Sequence, residues 1–153
     1  MASDARYRTK VYLDTYLDSS NITHDDDSTA ATILVAFGFP DYPLIRVFDP
    51  DEKDVDVVFS IEEPNSTPLM GHDQTPYGYE EHVPITICCV DKPGVTGTKI
   101  KWKAEAELRR VLETYPLGSM RILENRSDTT QRIGGTTIYM TTWVLTYKRS
   151  TTV

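Results

Sequence analysis

Cysteine, histidine and long apolar runs are all scarce in this chain, whose 153 residues hold 2 Cys and 3 His. Cys88 and Cys89 are neighbours, so on a strand their side chains point to opposite faces and a disulfide between them would be strained. That excludes a disulfide framework and leaves two small apolar thiols, as suits folding in a reducing cytoplasm. No segment approaches the ~20 consecutive apolar residues of a membrane-spanning helix. The opening Met1-Ala2-Ser3-Asp4-Ala5-Arg6 lacks the apolar run of a signal peptide. The expectation is a protein made in the cytoplasm with no membrane partner, in which the Asn-x-Ser/Thr sequons at Asn21, Asn65 and Asn125 carry no weight. Internal repeats and low-complexity segments are missing too.

Positive charge is the next scarcity. Residues 21–82 hold 14 acids against Arg46 and Lys53, whereas 83–153 hold 11 bases against 6 acids, within a net charge of -7. Either the molecule carries two oppositely charged surfaces, which in a self-assembling protein would be complementary, or the acids sit in solvated loops. A sequence pI near 4.9 argues against tight binding to duplex nucleic acid.

What is present is the material of one domain, residues 1–153, long enough to bury a core without disulfides or metals. In Val83-Pro84-Ile85-Thr86-Ile87-Cys88-Cys89-Val90 the apolar residues 83, 85, 87 and 89 share one strand face. A turn over 91–97 follows, and then Ile100, Ala104, Leu108, Val111 and Leu112 recur on one helical stripe, ending near Tyr115-Pro116-Leu117-Gly118. The spacing also predicts a helix over Ser3–Asp18, with Ser3 as N-cap and Tyr7 beside Val11, although the alternation of Tyr7, Thr9, Val11 and Leu13 is a strand pattern too. Ser19–Ala30 reads as a polar loop. Thr32–Phe37 and Pro43–Phe48 read as a hairpin or two neighbouring strands, and Asp54–Ile61 as a strand with one solvated face. Met120 and Ile122 mark a short strand, Asn125–Gly135 a polar turn, Thr136–Lys148 the longest strand, and Arg149–Val153 a frayed or neighbour-binding tail. Residues 62–82, rich in Pro and Gly, form a long loop or extended hairpin of the kind that projects or binds. The class is α+β: a mainly antiparallel sheet with an N-terminal helix and a central helix packed on one face.

No arrangement of residues carries catalytic chemistry. Strand, glycine turn and helix around Gly94, Gly97, Thr98 and Lys99 come in the order of a phosphate loop. However, two residues stand between the glycines instead of four, and Thr98 separates Gly97 from the lysine. The stretch reads instead as a turn with Thr96 or Thr98 capping the helix. His24 with Asp25, Asp26 and Asp27 lacks the alternate spacing and glycine of a calcium loop. His72 and His82, with Asp73, Glu80 and Glu81, fit no familiar zinc spacing. A Gly-x-Ser-x-Gly elbow is absent. No enzyme activity, cofactor or metal is therefore expected. On the central helix, Lys99, Lys101, Lys103, Arg109 and Arg110 alternate with Glu105 and Glu107 at the spacing of i,i+4 ion pairs, and Trp102 and Tyr115 suit either core or interface.

With the elements in this order, the chain resembles the tail-terminator and tail-completion proteins of long-tailed bacteriophages and related viruses. The resemblance rests on the strand His82-Val83-Pro84-Ile85-Thr86-Ile87 and the helix Thr98–Arg110. The closing strand Gly135–Lys148 and the short N-terminal helix complete it. It implies a homo-oligomeric ring, typically hexameric, that caps the tail tube, meets the head-tail connector and leaves a channel for DNA, in a virion assembled in the host cytoplasm. On that reading Glu62, Glu63, His72, Tyr77, Tyr79, Glu80, Glu81, Lys101, Lys103, Arg109 and Arg110 are candidate subunit-interface residues. Asp25, Asp26, Asp27, Asp54 and Asp56 are candidate lumen acids, past which DNA would move without sticking. The competing readings are another connector or tail-tube component and a small cytoplasmic ligand-binding domain.

Overall fold

The computed structural model describes residues 4–38, 44–116, 121–133 and 135–150. The strand predicted from Val83 is longer than its apolar core: β4 runs Pro76–Val90 and pairs on one side with β2 (Val57–Ile61) and β3 (Asn65–Met70), on the other with β6 (Thr136–Ser150). The sheet order is β1-β2-β4-β6-β5, with β1 at Ile33–Phe37, β5 at Arg121–Ile133 and β3 against β4. Every pairing is antiparallel except β1 with β2. Helices α1 (Asp4–Tyr16) and α3 (Gly97–Thr114) cover one face, so the chain is an α+β protein.

Alternation along β4 divides the core in two. Val83, Ile85, Ile87 and Cys89 meet Phe59, Ile61, Trp143, Leu145, the α3 stripe Ile100-Ala104-Leu108-Val111-Leu112 and Ala5, Tyr12 and Leu13 of α1. Cys88 and Val90 point the other way, into a smaller cluster with Val58 and Ile138. The cysteines therefore sit on opposite faces, and burial pushes the Cys88 thiol up to about 12, out of reach of ordinary thiolate chemistry. In α1 the buried positions are Ala5, Thr9, Tyr12 and Leu13, which turns Tyr7 and Val11 outward. Gly97 is needed at the start of α3, because a Cβ there would lie 2.5 Å from the Tyr139 ring and 3.1 Å from the Val90 carbonyl carbon.

Three expectations are corrected. The run 43–48 is not a strand: Leu44–Phe48 is a short helix, α2, placing Val47 and Phe48 in the smaller cluster. A five-residue apolar run has no period that separates strand from buried helix, and the parallel pairing of β1 with β2 requires a crossover here, where a hairpin would run antiparallel. Asp54–Ile61 has no solvated strand face; β2 begins at Val57 and is buried at all five positions, with the Ser60 hydroxyl donating to Glu62 at 2.9 Å. Residues 125–133 are not a turn but most of edge strand β5, with a bulge between Leu123 and Ser127. Thr129, Thr130 and Gln131 are exposed there, so hydropathy resembles a loop although the β-branched content suits a strand. The tail continues β6 as far as Ser150. Ser3, Pro40, Pro43, Leu117, Gly118, Met120 and 151–153 lie outside the described residues.

Leu108, fully buried between α3 and the sheet, is the stripe's central side chain. Leu108→Ala is expected to cost about 2–5 kcal/mol in chemical denaturation. A loss under 1 kcal/mol would mean that α3 is not seated as described.

Candidate subunit interfaces

The start of α3 has the order of a phosphate loop but is filled by the protein's own carboxylates. Gly97 N–H donates to Asp91 Oδ1 at 2.7 Å, and the Tyr139 hydroxyl donates to Asp91 Oδ2 at 3.0 Å. Thr96 stands at the N-cap, yet its hydroxyl and N–H go to Asp25 at 2.7 and 3.1 Å. Two acids thus meet the positive end of the helix dipole, where they would repel a phosphate.

The acidic loop is built by local and tertiary bonds. Asp26 accepts from the Thr29 hydroxyl and from the N–H groups of Thr29 and Ser28. Lys103 reaches back to Asp27 at 2.9 Å and to the carbonyls of Thr23 and His24, so it fastens this loop instead of facing a neighbour. Asp54 pairs with Lys92 at 2.9 Å and keeps an exposed carboxylate. Asp56, expected on a lumen, is instead buried, within 2.8 Å of His24 and accepting from Thr32 N–H. Burial removes its charge from any channel surface.

The α3 charges also differ from the expected i,i+4 ladder. Glu107 is buried and pairs with Arg110 at i,i+3 while accepting from Asp18 N–H and Asn21. Lys101 reaches Asp128 on β5 at 3.3 Å. Glu105 accepts from Trp143 Nε1 at 3.3 Å, and Arg109 stacks 5.3 Å over the Trp143 ring. Buried glutamates are bound to tertiary partners, which sequence spacing does not reveal.

Residues 62–82 form β3, a turn and the first half of β4. Glu63 pairs with Arg6 at 3.1 Å. Glu80 lies 3.4 Å from His82, and Glu81 is buried. His72 is in the turn while His82 pairs with Asn65 at the base, so at about 3.3 Å per residue they stand on the order of 20 Å apart and cannot share one metal. Met70 and Tyr77 are 50% and 60% exposed, and Tyr79 is half-buried.

Two exposed aromatic surfaces lie on the helical layer. Tyr7, Val11 and Tyr16 line the outside of α1, and Tyr16 stacks on Tyr115 at 4.2 Å. Trp102, 74% exposed, walls a groove of about 390 Å³ floored by Trp143. The sequence carried the Tyr7-Val11 spacing but not its outward orientation. It held no signal for the groove, whose two tryptophans are 41 positions apart in the chain.

Comparison with protein-family models gives no match, and comparison with curated proteins gives none either. No helix among the described residues is long and apolar enough to cross a membrane.

The hydroxyl of Thr29, then its N–H and that of Ser28, hold the Asp26 carboxyl well below the ordinary aspartate value of 3.8; the Thr96 hydroxyl and N–H hold Asp25 down likewise. Depressed carboxylates stabilise the folded state fully above the unfolded-state value and lose that contribution as pH falls through the folded one. The urea midpoint of wild type is therefore expected to exceed that of Asp26→Asn at pH 7, and the gap to close progressively below about pH 4. A gap that widens on acidification would refute the assignment.

Proposed function

We propose that this chain is a structural virion subunit that assembles into a homo-oligomeric ring, six-membered as the resemblance implies. The ring would sit at the head-proximal end of a viral tail tube and join it to the head-tail connector. The observation that carries this reading is the β3–β4 hairpin. Five of the six β3 residues are exposed and the sixth is half-buried, the tip presents Met70 and Tyr77, and the hairpin extends the sheet past the last core residue of β4, Val83. Over Gly78–His82 this extension has three strands, β3, β4 and β6, and β3 pairs with β4 alone among the described strands, so its outer edge is open and suited to contact with another chain. The division of charge along the chain supports the same reading.

The sheet face opposite α1 and α3 is the side we assign to the channel. Beyond the patch covered by α2 it is polar, with Glu62 beside Ser60, Thr86 paired to Thr142 at 3.1 Å, and His82 between Glu80 and Thr146. A neutral-to-acidic surface of this type lets DNA pass without specific binding, by like-charge repulsion. Asp25, Asp26 and Asp54 are exposed acids as well.

Native mass spectrometry of the full chain is expected to give one discrete ring. The excision of residues 67–80, with Asn-Gly joining the paired residues Ser66 and Glu81, keeps the buried base of the hairpin. That variant is expected to unfold cooperatively, as wild type does, and to run as a monomer. A wild-type chain that stays monomeric and binds a small molecule would sink the ring.

A further inference from the structure

We infer that the ring is closed by one asymmetric contact, in which the hairpin tip of one copy, led by Tyr77, enters the Trp102–Arg109–Trp143 groove of the next. This rests on the ring reading above and specifies which surfaces meet.

The hairpin tip is made to protrude. Leu69 pairs with Gly78 and Met70 with Pro76, so Tyr77 is the unmatched residue of a bulge, a device that re-aims a side chain away from the ladder. It is 60% exposed, and the hairpin that bears it, residues 62–82, contains five acids and no Lys or Arg. The groove sets Arg109 and Arg110 beside Glu105 and Glu113, between its two tryptophans. Lys99, Trp102, Ala106 and Arg109 follow one another on the outward stripe of α3, Trp102 is 74% exposed, and Arg109 lies over Trp143. Among the described residues no carboxylate pairs with Arg109. Ala106, the smallest residue of the stripe, leaves the opening between Trp102 and Arg109. A tyrosine tip beside Asp73 thus faces a tryptophan-walled groove of about 390 Å³ that presents Arg109, and Tyr, Trp and Arg are the residue types that dominate interface energies.

A copy cannot fill its own groove. Trp143 pairs with Ile85, eight residues along β4 from Tyr77, which at about 3.3 Å per residue is roughly 26 Å within one rigid sheet. The two surfaces also differ, so the contact is head-to-tail, and repetition of a head-to-tail contact closes a ring when its rotation divides the circle.

Tyr77→Lys and Trp102→Glu place like charges at either side of the contact without touching the core, and circular dichroism and urea unfolding are expected to match wild type. Alone, each variant is expected to lose the ring entirely and run as a monomer in native mass spectrometry and sedimentation velocity. Mixed in equal amounts, they keep one competent pair of surfaces, the groove of the Tyr77→Lys copy and the hairpin of the Trp102→Glu copy. The mixture is therefore expected to give a species of twice the monomer mass and nothing larger. Single variants that form rings like wild type would overturn the contact while leaving the ring intact, with the groove open to a different protein. A mixture that stays monomeric would overturn the head-to-tail pairing. A wild-type chain that forms no ring would overturn the functional reading itself.

Discussion

Burial of β4 on both faces is the constraint on which the rest of the molecule depends. From Ile85 to Val90 every side chain is buried, and the strand's backbone is shared by β2 and β3 on one side and β6 on the other. One face requires α1 and α3; the other requires α2 and the crossover that brings Val47, Phe48 and Val55 beneath Cys88 and Val90. Because β4 continues seven residues past Val83, the same strand that centres the core also carries the hairpin outward. A rigid arm follows from this continuity, since a hairpin rooted in a central strand cannot swing independently of the core.

The parts legible in the sequence are those with an unambiguous period. The strand at Val83 and the stripe Ile100–Leu112 alternate at spacings that suit only one structure each, and both are found where those periods put them. Misreadings arose where the physical cause is tertiary. Leu44–Phe48 is helical because a parallel neighbour needs a crossover, and Thr129–Gln131 belong to a strand because β6 offers them partners. Tyr7 and Val11 have helical spacing, but Ala5, Thr9 and Leu13 have it too, and only the sheet decides which of the two stripes turns inward. The candidate interface was legible in the same partial way. The length and composition of 62–82 marked an arm, whereas the groove is formed by Trp102 and Trp143 from separate elements.

The acidic half of the chain does two different jobs. Asp25, Asp27 and Asp56 are consumed inside the subunit: one caps α3 through Thr96, one holds Lys103, and one is buried against His24 and Lys92. These pairings join the early acidic segment to the later basic one within a single copy, so the opposition of charge read from the sequence is partly an internal device. The acids of the hairpin differ. Glu63 is paired with Arg6, whereas Asp73 accepts from its own turn, at Thr75 N–H, and Glu80 lies beside His82.

That difference bears on why a ring would be the outcome and not a two-fold dimer. An isologous dimer needs a surface complementary to itself, but the two surfaces proposed to meet are unlike: a protruding tyrosine tip, and a tryptophan groove whose Arg109 has no carboxylate partner among the described residues. Two such tips offer each other no groove, and two grooves offer each other nothing to insert. Arm into groove is the combination that would bury both aromatics, and each copy making it would present a fresh arm and a fresh groove to the next. The geometry of one rigid β-hairpin would then set the angle between neighbours, and through that angle the number of copies that close the circle.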